Sequence, residues 1–175
     1  METLIGEEKI RQRVSELAAQ ITRDYTGRNL VVVGVLKGCF VFLADLVRGI
    51  DVEHEIDFIT ISSYGEGVAS TGAVRLLKDL DTNITGRDVL LVEDIVDTGS
   101  SLAYMKGILE IRGPASLRIC ALLDKRERRE RDVMVDYVGF EIPNRFVVGY
   151  GLDYAERFRE LPYVAALQAG DQEES

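Results

Sequence analysis

The sequence predicts an α/β protein, a mainly parallel twisted sheet flanked by helices, carried on a single domain of 175 residues. Two short, almost wholly apolar runs, LVVVGV at 30–35 and DVLLVE at 88–93, have the pattern of strands covered on both faces, as in a parallel sheet. Each is followed by a turn and then by apolar residues at helical spacing, the order a βαβ unit requires. The composition agrees, since 46% hydrophobic and 29% charged residues with only three prolines suit a packed core rather than a disordered chain.

In chain order, Ile10, Val14, Leu17, Ala18, Ile21 and Tyr25 share one helical face, and Gly27 follows where a left-handed cap falls. After the strand at 30–35, Lys37-Gly38 interrupts the apolar run. Cys39, Phe42, Leu43 and Leu46 then recur at i, i+3, i+4 and i+7, a helix ending near Gly49. Residues 52–63 largely alternate apolar and polar, which predicts a long strand with one wetter face. His54, the sole histidine, falls on the apolar parity with Val52, Ile56 and Phe58 and reads as a packed side chain. The segment YGEGVASTG at 64–72 has no periodic apolar residue and reads as a loop. Beyond the strand at 88–93, Leu102, Met105, Ile108 and Leu109 line a helix stopped by Gly113-Pro114. Strands are predicted at 117–123 and 133–138, with a short last one at 146–148. The run DKRERRERD at 124–132 interleaves five basic and four acidic residues, the composition of a solvated loop, with Lys125 set aside for its motif context.

Several function classes are disfavoured at this level. A net charge of −9 has the wrong sign for general nucleic-acid binding. No run approaches the roughly 20 apolar residues of a membrane helix, and METLIGEEKIRQR lacks a signal peptide's apolar core, so a cytoplasmic protein without membrane partners is expected. Cys39 and Cys120 sit in apolar segments without CxxC spacing and read as small buried hydrophobes.

The chemistry concentrates in VEDIVDTGSS at 92–101, between the end of a buried strand and the start of a helix, where open α/β sheets bind ligands. Glu93 and Asp94 are adjacent carboxylates suited to vicinal hydroxyls or a hydrated divalent cation. Asp97, Thr98, Gly99, Ser100 and Ser101 form a small turn whose backbone N–H groups and hydroxyls suit one phosphate at the positive end of a helix. An ordinary N-cap by Asp97 or Thr98 accounts for the turn but not for the carboxylates clustered at it. DTGSS also spells the strip of an aspartic protease, which needs two such motifs in an all-β fold. A P-loop needs GxxxxGK[ST], and no lysine follows Gly99.

With VGVLKG at 33–38, SSYG at 62–65, LLDK at 122–125 and VGFEIPNRFVVGYGLDYAERFREL at 138–161, the chain resembles the purine phosphoribosyltransferases of the hypoxanthine-guanine type over nearly its whole length. The resemblance implies the type I phosphoribosyltransferase fold, with a mobile lid loop at about 64–87 and a small hood built from the N- and C-terminal segments. It implies pentosyl transfer in purine salvage, from phosphoribosyl pyrophosphate to N9 of hypoxanthine and also guanine, as a homodimer or homotetramer. Glu93 and Asp94 would hold the ribose hydroxyls, partly through Mg2+, and 97–101 the 5-phosphate. Asp97 would exchange the proton at purine N7, which makes N9 the better nucleophile. Lys125 would donate to the 6-oxo group, Phe146 would stack on the ring, and Val147 would offer backbone groups to the base edge. Asp153 would ligate the metal beside the purine, Arg159 and Lys37-Gly38 would bind pyrophosphate, the latter in a strained peptide, and Ser63-Tyr64 would begin the lid. Taken singly, Phe146, Lys125 and Arg159 read as a core aromatic, a surface lysine and a surface arginine. Family members often carry a larger or basic residue at Ser100 and threonine at Ser101, and the hydroxyl at 101 survives here. The alternative is a regulatory relative that keeps the phosphoribosyl site but binds RNA.

Overall fold

The computed structural model describes residues 1–63 and 74–168. A six-stranded sheet has the order β4 (Val74–Lys78), β3 (His54–Ser63), β2 (Leu30–Leu36), β5 (Asp88–Val96), β6 (Ser116–Asp124), β7 (Tyr137–Glu141). All neighbours are parallel except β3 and β4. A second, three-stranded sheet pairs β1 (Glu2–Ile5) with β9 (Val164–Ala166) and β9 with β8 (Val147–Val148).

The alternation of side chains along the central strands divides the core in two. Leu30 and Val32 of β2, Leu90 and Val92 of β5, and Cys120 and Leu122 of β6 pack beneath α1 (Glu7–Tyr25) and α2 (Phe40–Gly49). Val31 and Val33, Val89 and Leu91, and Ile119 and Ala121 face α3 (Ser100–Ile111) through Leu102, Met105 and Leu109. Both faces of β2, β5 and β6 are therefore dry, as their continuous apolar runs require. Cys39 and Cys120 are buried free thiols. Gly27, at φ 75°, takes the left-handed conformation expected after α1. Among the described residues no helix is long and apolar enough to cross a membrane.

The structure corrects four element readings. The strand expected at 133–138 begins instead at Tyr137, because β7 pairs with β6 from Cys120↔Tyr137 onward, while Val133 and Val135 only pack against the α3-side core. Asp136 precedes that ladder and accepts the Ile119 N–H at 2.8 Å. On β3 the buried parity is Asp57 and Ile59, whereas Ile56 is 45% exposed. The Asp57 carboxylate makes this possible by accepting the N–H groups of Phe58, Asp81 and Thr82, so that a polar residue anchors the turn covering that face. His54 is partly buried, with Nδ1 2.7 Å from the Val52 carbonyl. Residues 74–78, inside the span expected to be lid, form β4 on the sheet edge, and β1 and β9 went unanticipated. The loop predicted at 64–72 lies outside the described residues.

Two glycines make the packing testable. A Cβ at Gly34 would meet Leu43 Cδ2 at 2.6 Å and Cys39 Sγ at 3.0 Å, so β2 is small there to let α2 approach. Gly107, within α3, has nothing within 4 Å of such an atom. Gly34→Ala should destabilise by about 1–3 kcal/mol through overpacking, and Gly107→Ala should stabilise by about 0.5–1 kcal/mol through helix propensity. Urea unfolding of the two variants checks both signs.

Candidate active site

β2 leads through α2 to β3 on one side, and β5 leads through α3 to β6 on the other, so the chain reverses direction between β2 and β5. A crevice opens at the carboxyl ends of strands at such a switch point. There the loop after β2 meets the loop after β5. The Leu36–Lys37 peptide is cis, and Gly38 lies against Asp94: a Cβ on Gly38 would sit 1.7 Å from Asp94 Oδ2. A Cβ on Gly151 would sit 2.2 Å from the Gly38 carbonyl oxygen. Three segments thus touch through glycine backbone, which no larger residue permits at either position.

Glu93 is only 8% exposed. Burial, and next the adjacent Asp94 carboxylate, push its carboxyl well above the usual range, and burial also raises Asp94. Arg159 acts in the opposite sense on Asp94. The pair is poised for a cation or hydroxyl donors.

Next along the chain, Gly99 at φ 83° is the N-cap residue of α3 and, having no side chain, leaves the helix start without a side-chain cap. One residue earlier, the Thr98 hydroxyl accepts the N–H of Ser100 at 3.3 Å, and the turn borders a cavity of about 100 Å³ reached by Glu93, Asp97, Thr98, Gly99 and Ser101. Its size and its place at the N-terminal turn of α3 suit one phosphate. Thr98 Oγ1 and Ser100 Oγ stand 3.3 Å apart at its rim.

Beside it lies a cavity of about 280 Å³ lined by Asp94, Ile95, Asp97, Lys125, Phe146, Val147, Leu152 and Asp153. Lys125, 7% exposed, points Nζ at Asp97 Oδ2 at 3.4 Å. Phe146 is 47% exposed and meets Tyr154 edge-on, with centroids 5.7 Å apart, leaving ring surface open to a ligand. Phe146 and Lys125 therefore depart from their single-residue readings, one being half exposed and the other buried. Ile95 and Leu152 complete the walls; ordinary apolar residues, they carried no signal in sequence.

Residues 126–131 are, apart from Arg129, as exposed as the charge pattern implies, but they are also tied down. A 3-10 turn, Arg126–Arg128, folds them onto the phosphate turn: Glu130 and Arg131 donate backbone N–H groups to the Thr98 carbonyl at 2.9 and 3.1 Å. Arg129 donates to the Asp97 carbonyl at 3.2 Å and pairs with buried Asp124. Arg128 Nε donates to Asp97 Oδ1 at 2.9 Å.

On the crevice's other side, Lys37 pairs with Glu156 at 2.8 Å, and Arg159 pairs with Asp153 at 2.9 Å and Glu156 at 3.4 Å while donating to the Gly151 carbonyl. Arg159, predicted as one anion ligand, is thus held within the crevice. Of the two lid residues, Ser63 ends β3 opposite Val74, and Tyr64 lies outside the described residues. A larger cavity of about 670 Å³ between α1, α2 and the segment 150–162 is lined by none of the candidate site residues.

Comparison with known proteins agrees with this geometry. The model of the phosphoribosyl transferase domain matches residues 4–155. The hypoxanthine phosphoribosyltransferase of Salmonella typhimurium is 54% identical over 169 residues, 95% of each chain. The hypoxanthine-guanine phosphoribosyltransferase of Bacillus subtilis is 48% identical over 94% of this chain and 92% of its own. A crystal structure of a hypoxanthine-guanine phosphoribosyltransferase from Bacillus anthracis superposes with a TM-score of 0.92 at 51% identity, covering 96% of this chain and 99% of that one. By its sequence, its sheet order and the crevice at its switch point, the chain belongs to the phosphoribosyl transferase family, in the branch that holds the hypoxanthine phosphoribosyltransferases.

Proposed function

We propose that this protein transfers the 5-phosphoribosyl group of phosphoribosyl pyrophosphate to N9 of hypoxanthine, and also of guanine, as a purine-salvage enzyme. The observation that carries this is Lys125 and Asp97 side by side on the wall of the 280 Å³ cavity, next to the small cavity at the N-terminal turn of α3. One presents hydrogen-bond donors to a 6-oxo group, the other accepts a ring proton, and the turn anchors the phosphate. Phe146 offers a stacking face and Val147 the backbone at the base edge.

In the reaction, N9 attacks C1′ as the bond to pyrophosphate breaks and the leaving group departs with its electron pair. Asp97 takes the N7 proton that the attacking purine releases, which keeps electron density at N9. Glu93 and Asp94 orient the ribose hydroxyls. Lys37, with the Gly38 backbone, and Arg159 bind the pyrophosphate, whose oxygens replace the Glu156 carboxylate that now joins these two cations. Ser63 and Tyr64 belong to a lid that excludes water from the cationic transition state.

The donor set fits Mg2+, which takes oxygen ligands and is usually held by one or two carboxylates together with substrate oxygens. Buried Glu93 and half-buried Asp94 form a carboxylate pair with Arg159 acting on Asp94, and Asp153, across the purine cavity, makes no three-ligand cluster with them among the described residues, so the ion would take its remaining ligands from substrate oxygens and water. Bound there, the ion would neutralise charge on the departing pyrophosphate. We place the enzyme in the cytoplasm, where charged phosphorylated compounds are retained, and as a homodimer or homotetramer, for which exposed Phe40, Ile56 and Leu77 offer apolar surface. RNA binding lacks electrostatic support at net charge −9. Pyrophosphate release, measured with hypoxanthine, guanine, xanthine and adenine in turn, tests the assignment; no release with any 6-oxopurine would defeat it.

Asp97→Asn should lower kcat by about 10²–10⁴-fold with a smaller change in phosphoribosyl pyrophosphate binding. Equal kcat in the two proteins would remove Asp97 from the proton transfer.

Lysine has three donors and no acceptor, so it matches the carbonyl of hypoxanthine and opposes the amino group of adenine. Lys125→Ala should therefore reduce the hypoxanthine-to-adenine ratio of kcat/KM by about 10-fold or more. An unchanged ratio would put base selection elsewhere.

A raised pKa in the folded state means that the folded protein binds protons more readily than the unfolded chain. The carboxylate pair thus lowers stability as pH rises from the unfolded carboxylate range through the folded titration. Glu93→Gln should stabilise the ligand-free protein at neutral pH by about 1–3 kcal/mol, or roughly 3–10 °C in Tm. It should also shrink the further Tm rise that Mg2+ with phosphoribosyl pyrophosphate produces. Thermal scans with and without ligand measure both effects.

A further inference from the structure

We propose that Arg128 is a positioning residue for the proton transfer, holding the Asp97 carboxylate in the orientation the purine needs; this rests on the role given to Asp97 above. The two oxygens of Asp97 have different partners. Oδ2 lies 3.4 Å from Nζ of Lys125, which lines the purine cavity, and Oδ1 accepts from Nε of Arg128 at 2.9 Å. Lys125 is buried whereas the Arg128 side chain is 45% exposed, so one oxygen is turned toward the cavity and the other toward its outer rim.

Without the outer contact, the single-bonded carboxylate would be free to rotate about its Cβ–Cγ bond and close both oxygens on the Lys125 ammonium. That would draw the lysine from the 6-oxo group and remove the acceptor from N7 together. An arginine held through Nε opposes the rotation from the far side.

The adjacent arginine does a different job. Arg129 binds the Asp97 main-chain carbonyl and buried Asp124, fixing the start of the phosphate turn, while Arg128 binds only the side chain. The 3-10 turn Arg126–Arg128, entered from Lys125 whose N–H bonds the Val96 carbonyl at 2.9 Å, aims the two at one residue. The two functions are therefore separable by mutation. Loss of Arg128 should affect turnover of the bound complex, and phosphate binding should survive.

The test is a double-mutant cycle on the full-length enzyme with saturating Mg2+. Arg128→Ala should lower kcat for hypoxanthine by about 10-fold while KM for phosphoribosyl pyrophosphate stays within about twofold. Arg128→Lys, which keeps a donor of the same charge, should recover at least part of the loss. In the Asp97→Asn background Arg128→Ala should cost less than about twofold, because the group it orients no longer accepts a proton. Equal losses in both backgrounds, an unchanged kcat, or a rise in KM for phosphoribosyl pyrophosphate without loss of kcat would each overturn the proposal. Wild-type turnover in Asp97→Asn alone would instead overturn the underlying role of Asp97. Arg128 is half exposed, so the variants should unfold at the wild-type temperature, and one that does not is replaced in the cycle by Arg128→Gln.

Discussion

Glu93 and Asp94 leave β5 side by side with little water around them, and adjacent carboxylates in that setting lose hydration and repel one another together. Holding them there requires a strand end that cannot yield. β5 lies between β2 and β6 with Leu90 and Leu91 sealed into opposite cores, so the carboxylates cannot retreat to solvent without unpairing the sheet. The same requirement sets the neighbouring residues. Gly38 is excluded from carrying a side chain because Asp94 occupies its place, and Gly151 because Gly38 does. The crevice is thus shaped around a crowded carboxylate pair, and in the proposed reaction a cation with the substrate's hydroxyls would relieve that crowding.

For the proposed reaction a chain of net charge −9 would have to bind a polyanion, and the cations assigned to that task are each paired with its own acids. Lys37 is paired with Glu156, Arg159 with Asp153 and Glu156, and Lys125 with Asp97. The Lys37–Glu156 pair is well exposed, so each such contact contributes roughly 0–1 kcal/mol and exchanges readily for a phosphate oxygen. Lys125 is different, being buried, and leaving it unpaired is costly. In the proposed site its alternatives are therefore Asp97 or a hydrogen-bond acceptor on the base, and a base that offered a donor at that point would satisfy neither.

Legibility in the sequence follows the range of the interactions. The runs at 30–35 and 88–93 carry their burial in their own composition, and the helices after them carry theirs in a local period, so the mainly parallel sheet could be read directly, while its strand order and switch point came from the structure. The motif at 92–101 was legible because its carboxylates, hydroxyls and glycine are contiguous. β1 and β9 were not, since three or four residues pairing across nearly the whole chain have no local signature. The inverted parity of β3 needed the three N–H groups that bind Asp57, two of them more than twenty residues away. The charge run was read correctly as solvated, but balanced composition could not show the backbone hydrogen bonds that tie residues 130 and 131 onto Thr98.

Departures from local preference gather in the segment that carries Asp153, Glu156 and Arg159. Tyr150, Ala155, Glu156 and Phe158 all have positive φ, between 50° and 78°, and none is a glycine. Each such conformation costs on the order of 1 kcal/mol or more and persists only where surroundings impose it. Here the surroundings are the bonds of Tyr150 N–H to the Leu161 carbonyl, Gly151 N–H to the Arg159 carbonyl and Glu156 N–H to Asp153, together with the Tyr150 hydroxyl donating to Asp45 of α2 at 2.6 Å. The segment that carries Asp153, Glu156 and Arg159 is therefore held from both sides, by its own hairpin-like bonds and by a helix of the main core. Its ionic groups can exchange partners while their backbone stays where the sheet puts it, which is the condition a site needs if charged substrates are to replace internal ion pairs without unfolding the loop that presents them.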